Sequence, residues 1–260
     1  MEAALAPTHR RRIGLSTGLA LALAVSGVPA ADPARAAHPE ASVLPDLSML
    51  APTDFSVQKG ARGRRLLRFD AVVVNLGPGP FEVYGQQDPA DPPGTYRVVQ
   101  RIAADSGGSW AYHPTSALMS YSGDGHNHFH VIGLQDWTLT NDTASVLRRG
   151  AKTGFCFWDN YRYGSALSAF YLPSTTSACL QRADGVVPMG LSAGWGDMYP
   201  STIAFQYIDI SGLPNGDYTI TLHVDLDGDF VEAEVGNNSS WARIRITRKG
   251  VTVLTQSDPP

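Results

Sequence analysis

The chain has 260 residues, of which 43% are hydrophobic and 17% charged, and its formal net charge is −4. That length buries a sizeable core as one large domain or two small ones. An acidic balance argues against nucleic acid as a partner, because phosphate binding needs a basic surface, and it favours long-range attraction of cations.

The first residues set an expectation for the compartment. His9-Arg10-Arg11-Arg12 is a basic leader, Ile13 to Val28 is an apolar run, and Val28-Pro29-Ala30 ends in small residues suited to cleavage. The run is shorter than the roughly 20 residues of a spanning helix and is diluted by small side chains, so cleavage is expected and no stable membrane insertion after it. Residues 1–37 are read as a signal peptide and the start of a Pro/Ala-rich linker, and 38–260 as the functional domain of a secreted or extracytoplasmic protein. Removing 1–37 takes away four arginines, one aspartate and one glutamate, leaving sixteen basic against twenty-two acidic groups, a net −6.

From Leu44 onward the texture is all-β: short runs rich in Val, Ile, Tyr and Thr, broken by Gly, Pro, Asn and Asp. The pattern predicts strands over Arg64–Asn75, Phe81–Tyr84, Tyr96–Ile102, His126–Leu139, Ile203–Asp209, Tyr218–Val224 and Ser240–Thr247. Turns such as Leu213-Pro214-Asn215-Gly216-Asp217 separate them, since Gly and Asn accept positive φ. A β-sandwich with long, partly irregular loops is expected. The segment from Asn141 to Pro200 shows little regular pattern, yet holds Cys156, Cys179 and Lys152. In an oxidising compartment an even pair of cysteines is most simply one disulfide, here across 23 positions, and it would pin that segment.

The stretch Asp124-Gly125-His126-Asn127-His128-Phe129-His130-Val131 carries the chemistry. On a strand, residues at i, i+2 and i+4 share one face, so His126, His128 and His130 converge. Imidazole suits zinc, copper, iron and nickel alike. Three ligands leave a coordination position for water or substrate, as catalytic sites require.

Here the sequence resembles the lysyl oxidase family, whose copper strand has the same histidine alternation. Lys152-Thr153-Gly154-Phe155-Cys156 is similar to its Lys-x-x-Phe-Cys segment. Asp197-Met198-Tyr199 with Gln206-Tyr207-Ile208-Asp209-Ile210 is similar to its Asp-x-Tyr and Gln-Trp-Ile-Asp-Ile blocks. The resemblance implies copper at His126, His128 and His130, and a lysyl tyrosylquinone cofactor made from Lys152 and Tyr199. By itself a loop lysine is usually solvated, but only Lys59, Lys152 and Lys249 stand against seventeen arginines.

Two departures and one further block bear on function. Vertebrate-type members carry more cysteines in this region, and a histidine beyond the copper strand is their proposed base. Here that neighbourhood reads Gln135-Asp136-Trp137, making Asp136 the substitute candidate. Glu232-Ala233-Glu234-Val235-Gly236-Asn237-Asn238 is similar to a family segment that binds calcium together with an early Pro-Asp-Leu, here Pro45-Asp46-Leu47. The resemblance thus implies calcium at Asp46, Leu47, Glu232, Glu234, Asn237 and Asn238, whose oxygens are what that ion takes; a hydrogen-bonded turn would use the same residues.

The activity implied is oxidative deamination of primary amines, protein lysines or small molecules, with dioxygen as acceptor. A zinc hydrolase using the same histidines and a non-catalytic extracellular copper-binding protein are the two other readings.

Overall fold

Every sheet among the described residues is antiparallel, and each is built from the β-branched and aromatic runs that punctuate the sequence. The structure is a computed structural model that describes residues 43–103, 109–122, 127–163 and 179–260. Among the described residues there is no α-helix, so the expected all-β class holds. The leader Met1–Ala37, His126 and most of the segment between the two cysteines lie outside the described residues.

Three sheets share the strands. The first is organised by Arg65–Asn75, an almost continuously buried run that pairs with Leu47–Met49, Thr53–Lys59, Trp195–Tyr199 and Tyr207–Asp209. The second runs in the order Gly154–Phe155, Phe129–Ile132, Trp110–Tyr121, Thr95–Ala103, Phe81–Gln86 and Val187–Leu191. The third runs Val251–Gln256, Ser239–Ile246, Gly216–Val224, Gln135–Thr140 and Val146–Arg149. One apolar cluster draws on all three, including Phe69, Phe81, Trp137, Phe155 and Ile220, each fully buried. Edge-on rings join the sheets in sequence: Phe69 to Trp137 at 5.1 Å, Trp137 to Phe155 at 5.4 Å and Phe155 to Tyr199 at 5.3 Å between centroids.

The predicted strands Arg64–Asn75, Phe81–Tyr84, Tyr96–Ile102, Tyr218–Val224 and Ser240–Thr247 agree with the structure to within two residues at each end. The single strand expected over His126–Leu139 is instead two, because Gly133 at φ 77° turns the chain out of the second sheet and into the third. Ile203–Asp209 is shortened to Tyr207–Asp209, with Phe205 at φ 61° interrupting it. Trp110–Tyr121 was not legible as a strand: it is mostly exposed and contains Pro114, which sits opposite Val99 where the register shifts. A bulge is one of the few places a sheet accommodates proline.

Close approach of backbones requires glycine at several positions, Gly79, Gly190 and Gly196 among them. A side chain at Gly190 would place its Cβ 2.0 Å from the Phe81 carbonyl oxygen, which is backbone of the paired strand and cannot move aside. Gly190→Ala is therefore expected to destabilise the fold by about 2 kcal/mol or more, read as a lowered midpoint in thermal unfolding.

Candidate active site

The segment carrying Lys152 is laid against the histidines by backbone pairing. Gly154 and Phe155 pair with Ile132 and Val131, and Gly133 N donates to the Thr153 carbonyl at 2.9 Å. A Cβ at Gly154 would lie 2.8 Å from His130 Cβ, so glycine lets this strand close on that histidine. Gly150, two residues before Lys152, is equally confined: a Cβ there would meet Trp137 Cε3 at 2.7 Å. Between these two contacts Lys152 is buried, 6% exposed, with Nζ 5.3 Å from the Phe155 ring centre and 5.4 Å from that of Tyr199.

Tyr199 ends the strand Trp195–Tyr199 and donates its hydroxyl to the Cys156 carbonyl. Burial, reinforced by the neighbouring Asp197 carboxylate, pushes its phenol well above the usual tyrosine range. Asp197 shares the face of the same strand two residues earlier and is 1% exposed. Burial pushes its carboxyl well above the usual carboxylate range, opposed by the Tyr199 hydroxyl, the Asn160 amide and the Lys152 charge. The Asn160 amide donates to Asp197 Oδ1, and Asn160 Oδ1 accepts from Met198 N at 2.7 Å. Oδ2 of Asp197 is buried with no hydrogen-bond partner among the described residues.

Two cavities meet at His130. One of about 440 Å³ is lined by His128, His130, Trp158, Asp197, Tyr199 and Ile203, among others. The other, about 280 Å³, is lined by His130, Lys152, Thr153 and Phe205 with their neighbours. His130 thus stands between the lysine and the tyrosine cavities.

Of the residues singled out from sequence, His128, His130, Lys152 and Tyr199 come together, with the two imidazole rings edge-on at 4.7 Å. His126 lies outside the described residues. The regular alternation argued for the histidine strand does not extend through it: the strand begins at Phe129, and Asn127 has φ 48°. Asparagine tolerates that left-handed conformation better than most residues. Asp136 lies on Gln135–Thr140, accepts from Arg149 Nη1 at 2.5 Å, and shares a third cavity with Lys152 without lining the cavity of His128 and Tyr199. Asp197, Asn160 and Trp158 were not singled out as site residues. Asp197 stood inside a quoted block, whereas Asn160 and Trp158 left no periodic or motif signal.

Comparison with known proteins bears on this arrangement. The lysyl oxidase family model matches residues 97–256. The chain belongs to the lysyl oxidase family. Lysyl oxidase homolog 2 of Homo sapiens is 25% identical over 183 residues, covering 70% of this chain and 18% of the relative. Lysyl oxidase homolog 4 of Mus musculus is also 25% identical over 183 residues, covering 70% and 19%. The chain therefore spans about a fifth of the length of the curated relatives it matches.

Lysyl oxidases use copper and lysyl tyrosylquinone; the described residues supply two of the three expected histidines and the lysine–tyrosine pair, while His126 lies outside them. Two imidazoles edge-on to each other are suited to one metal ion, and a lysine amine buried beside a tyrosine ring is placed for a covalent link to it. A buried ammonium group is costly to the fold, so this lysine is not explained by stability alone. Among the described residues no three His, Cys, Asp or Glu side chains converge as a ready metal cluster.

The second candidate site mixes carboxylates with amides brought together from residues 46–47 and 232–238. Glu232 Oε2 accepts from Leu47 N at 2.8 Å and its Oε1 from Asn238 Nδ2 at 2.7 Å, while Asp46 Oδ1 accepts from Asn237 Nδ2 at 2.8 Å. The amide oxygens Oδ1 of Asn237 and of Asn238 are buried without a partner among the described residues. Oxygens of this kind are what calcium takes, although the carboxylates of Asp46, Glu232 and Glu234 do not converge as a ready cluster among the described residues.

The expected Cys156–Cys179 disulfide is present, and it anchors the site from within the apolar core. Phe129 N donates to the Cys179 carbonyl and Cys179 N to that of Pro188, both at 2.9 Å, so the bridge ties the histidine strand to the carbonyl that receives Tyr199. Replacing both cysteines by alanine is expected to cost about 3 kcal/mol, from the loop closed. Thermal unfolding of the metal-free protein should show a midpoint lower by roughly 6–12 °C.

Proposed function

We propose that the chain is an extracytoplasmic copper- and quinone-dependent amine oxidase. A primary amine, a dioxygen and a water give an aldehyde, ammonia and hydrogen peroxide. The observation that carries this reading is the burial of Lys152 with its amine 5.4 Å from the Tyr199 ring, beside paired imidazoles. His128 and His130, with His126, would hold copper, and Lys152 and Tyr199 would form the organic cofactor. When bound, the quinone supplies an electron sink and the metal supplies the chemistry of dioxygen. The protein's own part is to exclude water, through Phe155 and the aromatic core, and to hold the reacting side chains in fixed register. A zinc hydrolase or a bare copper carrier has no use for a buried lysine next to a buried tyrosine. The basic and apolar leader supports export, and among the described residues no helix is long and apolar enough to cross a membrane.

Maturation with copper is expected to join the Lys152 and Tyr199 peptides into one species by mass spectrometry, while metal-free protein yields two. Lys152→Ala and Tyr199→Phe should retain copper yet form no phenylhydrazine adduct and release no peroxide from amines. His128→Ala should lose copper and adduct together. Two free peptides in an active preparation would overturn the quinone assignment.

We further propose that Asp46, Glu232, Glu234, Asn237, Asn238 and the backbone at Leu47 take a calcium ion. Burial pushes Glu232 up to about 7, with Asp225 and Asp46 adding to the rise. A carboxyl raised in the folded state contributes stability that is complete below its unfolded value and lost as pH climbs through about 7. Calcium takes the proton's place. The rise in melting temperature on adding calcium to chelated protein should therefore be larger at pH 8 than at pH 5, and Glu234→Ala should diminish it at both. An equal response at the two pH values, or none, would remove the site.

A further inference from the structure

A cavity of about 430 Å³ lies on the outer face of the second sheet and shares no lining residue with the two cavities that meet at His130. Its floor follows from strand register. Phe81 and Val83 point into the core, so Glu82, Tyr84 and Gln86 point the other way. Arg101 stands opposite both Glu82 and Tyr112, and Val99 stands opposite Tyr84. The wall is the turn from Gln181 to Val186. Arg182 N donates to the Val186 carbonyl at 2.8 Å and closes that turn, while Gln181 Nε2 donates to the Tyr96 hydroxyl at 2.9 Å and ties it to the sheet.

Two properties of the cavity select its occupant. The charges around it cancel in pairs: Arg101 with Glu82 at 2.6 Å, Arg182 with Asp184 at 3.2 Å, and Arg97, across from Gln86, with Asp91 at 2.7 Å. Paired ions remain good hydrogen-bonding groups without presenting net charge, which suits a neutral ligand rich in hydroxyls and gives an anion or a cation no advantage. The second property is the way its rings are presented. Arg101 lies 3.8 Å over the Trp110 ring and 5.5 Å from that of Tyr84, so its guanidinium is fixed in place. Tyr112 is instead 64% exposed. A strand runs between those of Tyr84 and Tyr112, which sets them about 10 Å apart, a spacing suited to successive units of a chain. β-propensity explains tyrosine on a strand, but not a walled cavity with cancelled charges beside it. We propose that this cavity is a subsite for a neutral oligosaccharide, its pyranose faces on Tyr112 and Tyr84 and its hydroxyls on Arg101, Gln86 and the Arg182 turn. The assignment is independent of the amine oxidase reading.

Calorimetric titration of the full-length protein with cellohexaose and with N-acetylchitohexaose tests it, alongside hexagalacturonate as an anionic sugar and a decaproline peptide as a rival for aromatic surfaces. At least one neutral hexamer is expected to bind, with an affinity that changes less than about twofold between low and high salt, because paired charges leave little to screen. Tyr112→Ala should weaken that binding about three- to tenfold, with an unchanged thermal midpoint showing that the fold survives. Trp241→Ala removes an exposed ring from the third sheet and should leave binding as it was. No binding of either neutral hexamer, tighter binding of hexagalacturonate or of decaproline, or full affinity in Tyr112→Ala would overturn the proposal.

Discussion

The edge-on series of rings from Phe69 through Trp137 and Phe155 to Tyr199 is the contact on which the rest of the architecture depends. Each ring belongs to a different sheet from the one before it, so the series leaves the first sheet, crosses the third and second, and returns to the first. Such ring pairs contribute about 0.5–1.5 kcal/mol each beyond the area they bury. Their geometric effect is larger than that sum suggests. Gly150 lies flat on Trp137 and Gly154 flat on His130, so the short segment between them has little freedom and its lysine is driven inward. The position of Lys152 thus follows from packing two backbone stretches against two rings.

What that packing encloses is unfavourable for stability. Lys152, Asp197, Tyr199 and Asp159 are all buried polar groups, and both aspartates and the tyrosine are held away from their charged forms by burial. The structure satisfies them unevenly. Asp159 is well provided, accepting from Ser192 N at 2.9 Å and from Ser192 Oγ at 2.5 Å. Asp197 has one oxygen held by Asn160 and the other without a well-formed hydrogen bond among the described residues, although the Tyr199 hydroxyl acts on the carboxyl. An apolar core of the same shape would be at least as stable, so the polar set makes sense as function. The half-satisfied member is the one that shares a cavity with the histidines and the tyrosine.

How much of this could be read from sequence follows from the range of the forces involved. Strands such as Gly216–Val224 were legible because alternation is a local property. The site residues were legible through motif order. What stayed hidden was set by distant partners: Trp110–Tyr121 is a strand because neighbours on both sides pair with it, against the local signal of Pro114. The histidine motif points to the right residues through an imperfect geometric argument, since Asn127 leaves the extended conformation and His128 meets His130 without a continuous strand. Asn160 acquires its role only by folding next to Asp197, 37 positions away, and no local pattern encodes that.

The two candidate sites, one joining the ends of the described chain and the other built from its middle, share one support. Asn75 is fully buried at the end of the central strand, and its side chain and backbone reach both. Its Oδ1 accepts from Asp46 N at 3.0 Å, at the carboxylate and amide cluster. Its Nδ2 donates to the Gly79 and Leu191 carbonyls, and its own carbonyl accepts from Gly194 N at 2.9 Å, where the chain enters the strand of Asp197 and Tyr199. Leu47–Met49 and Trp195–Tyr199 both pair with Arg65–Asn75. The calcium proposed at the Asp46 end would therefore brace the same strand against which Tyr199 is registered. This contiguity is one of shared support through a common strand. It gives a physical reason why the oxygen-rich cluster bears on Tyr199: the tyrosine is positioned by pairing to a strand whose other neighbour carries that cluster.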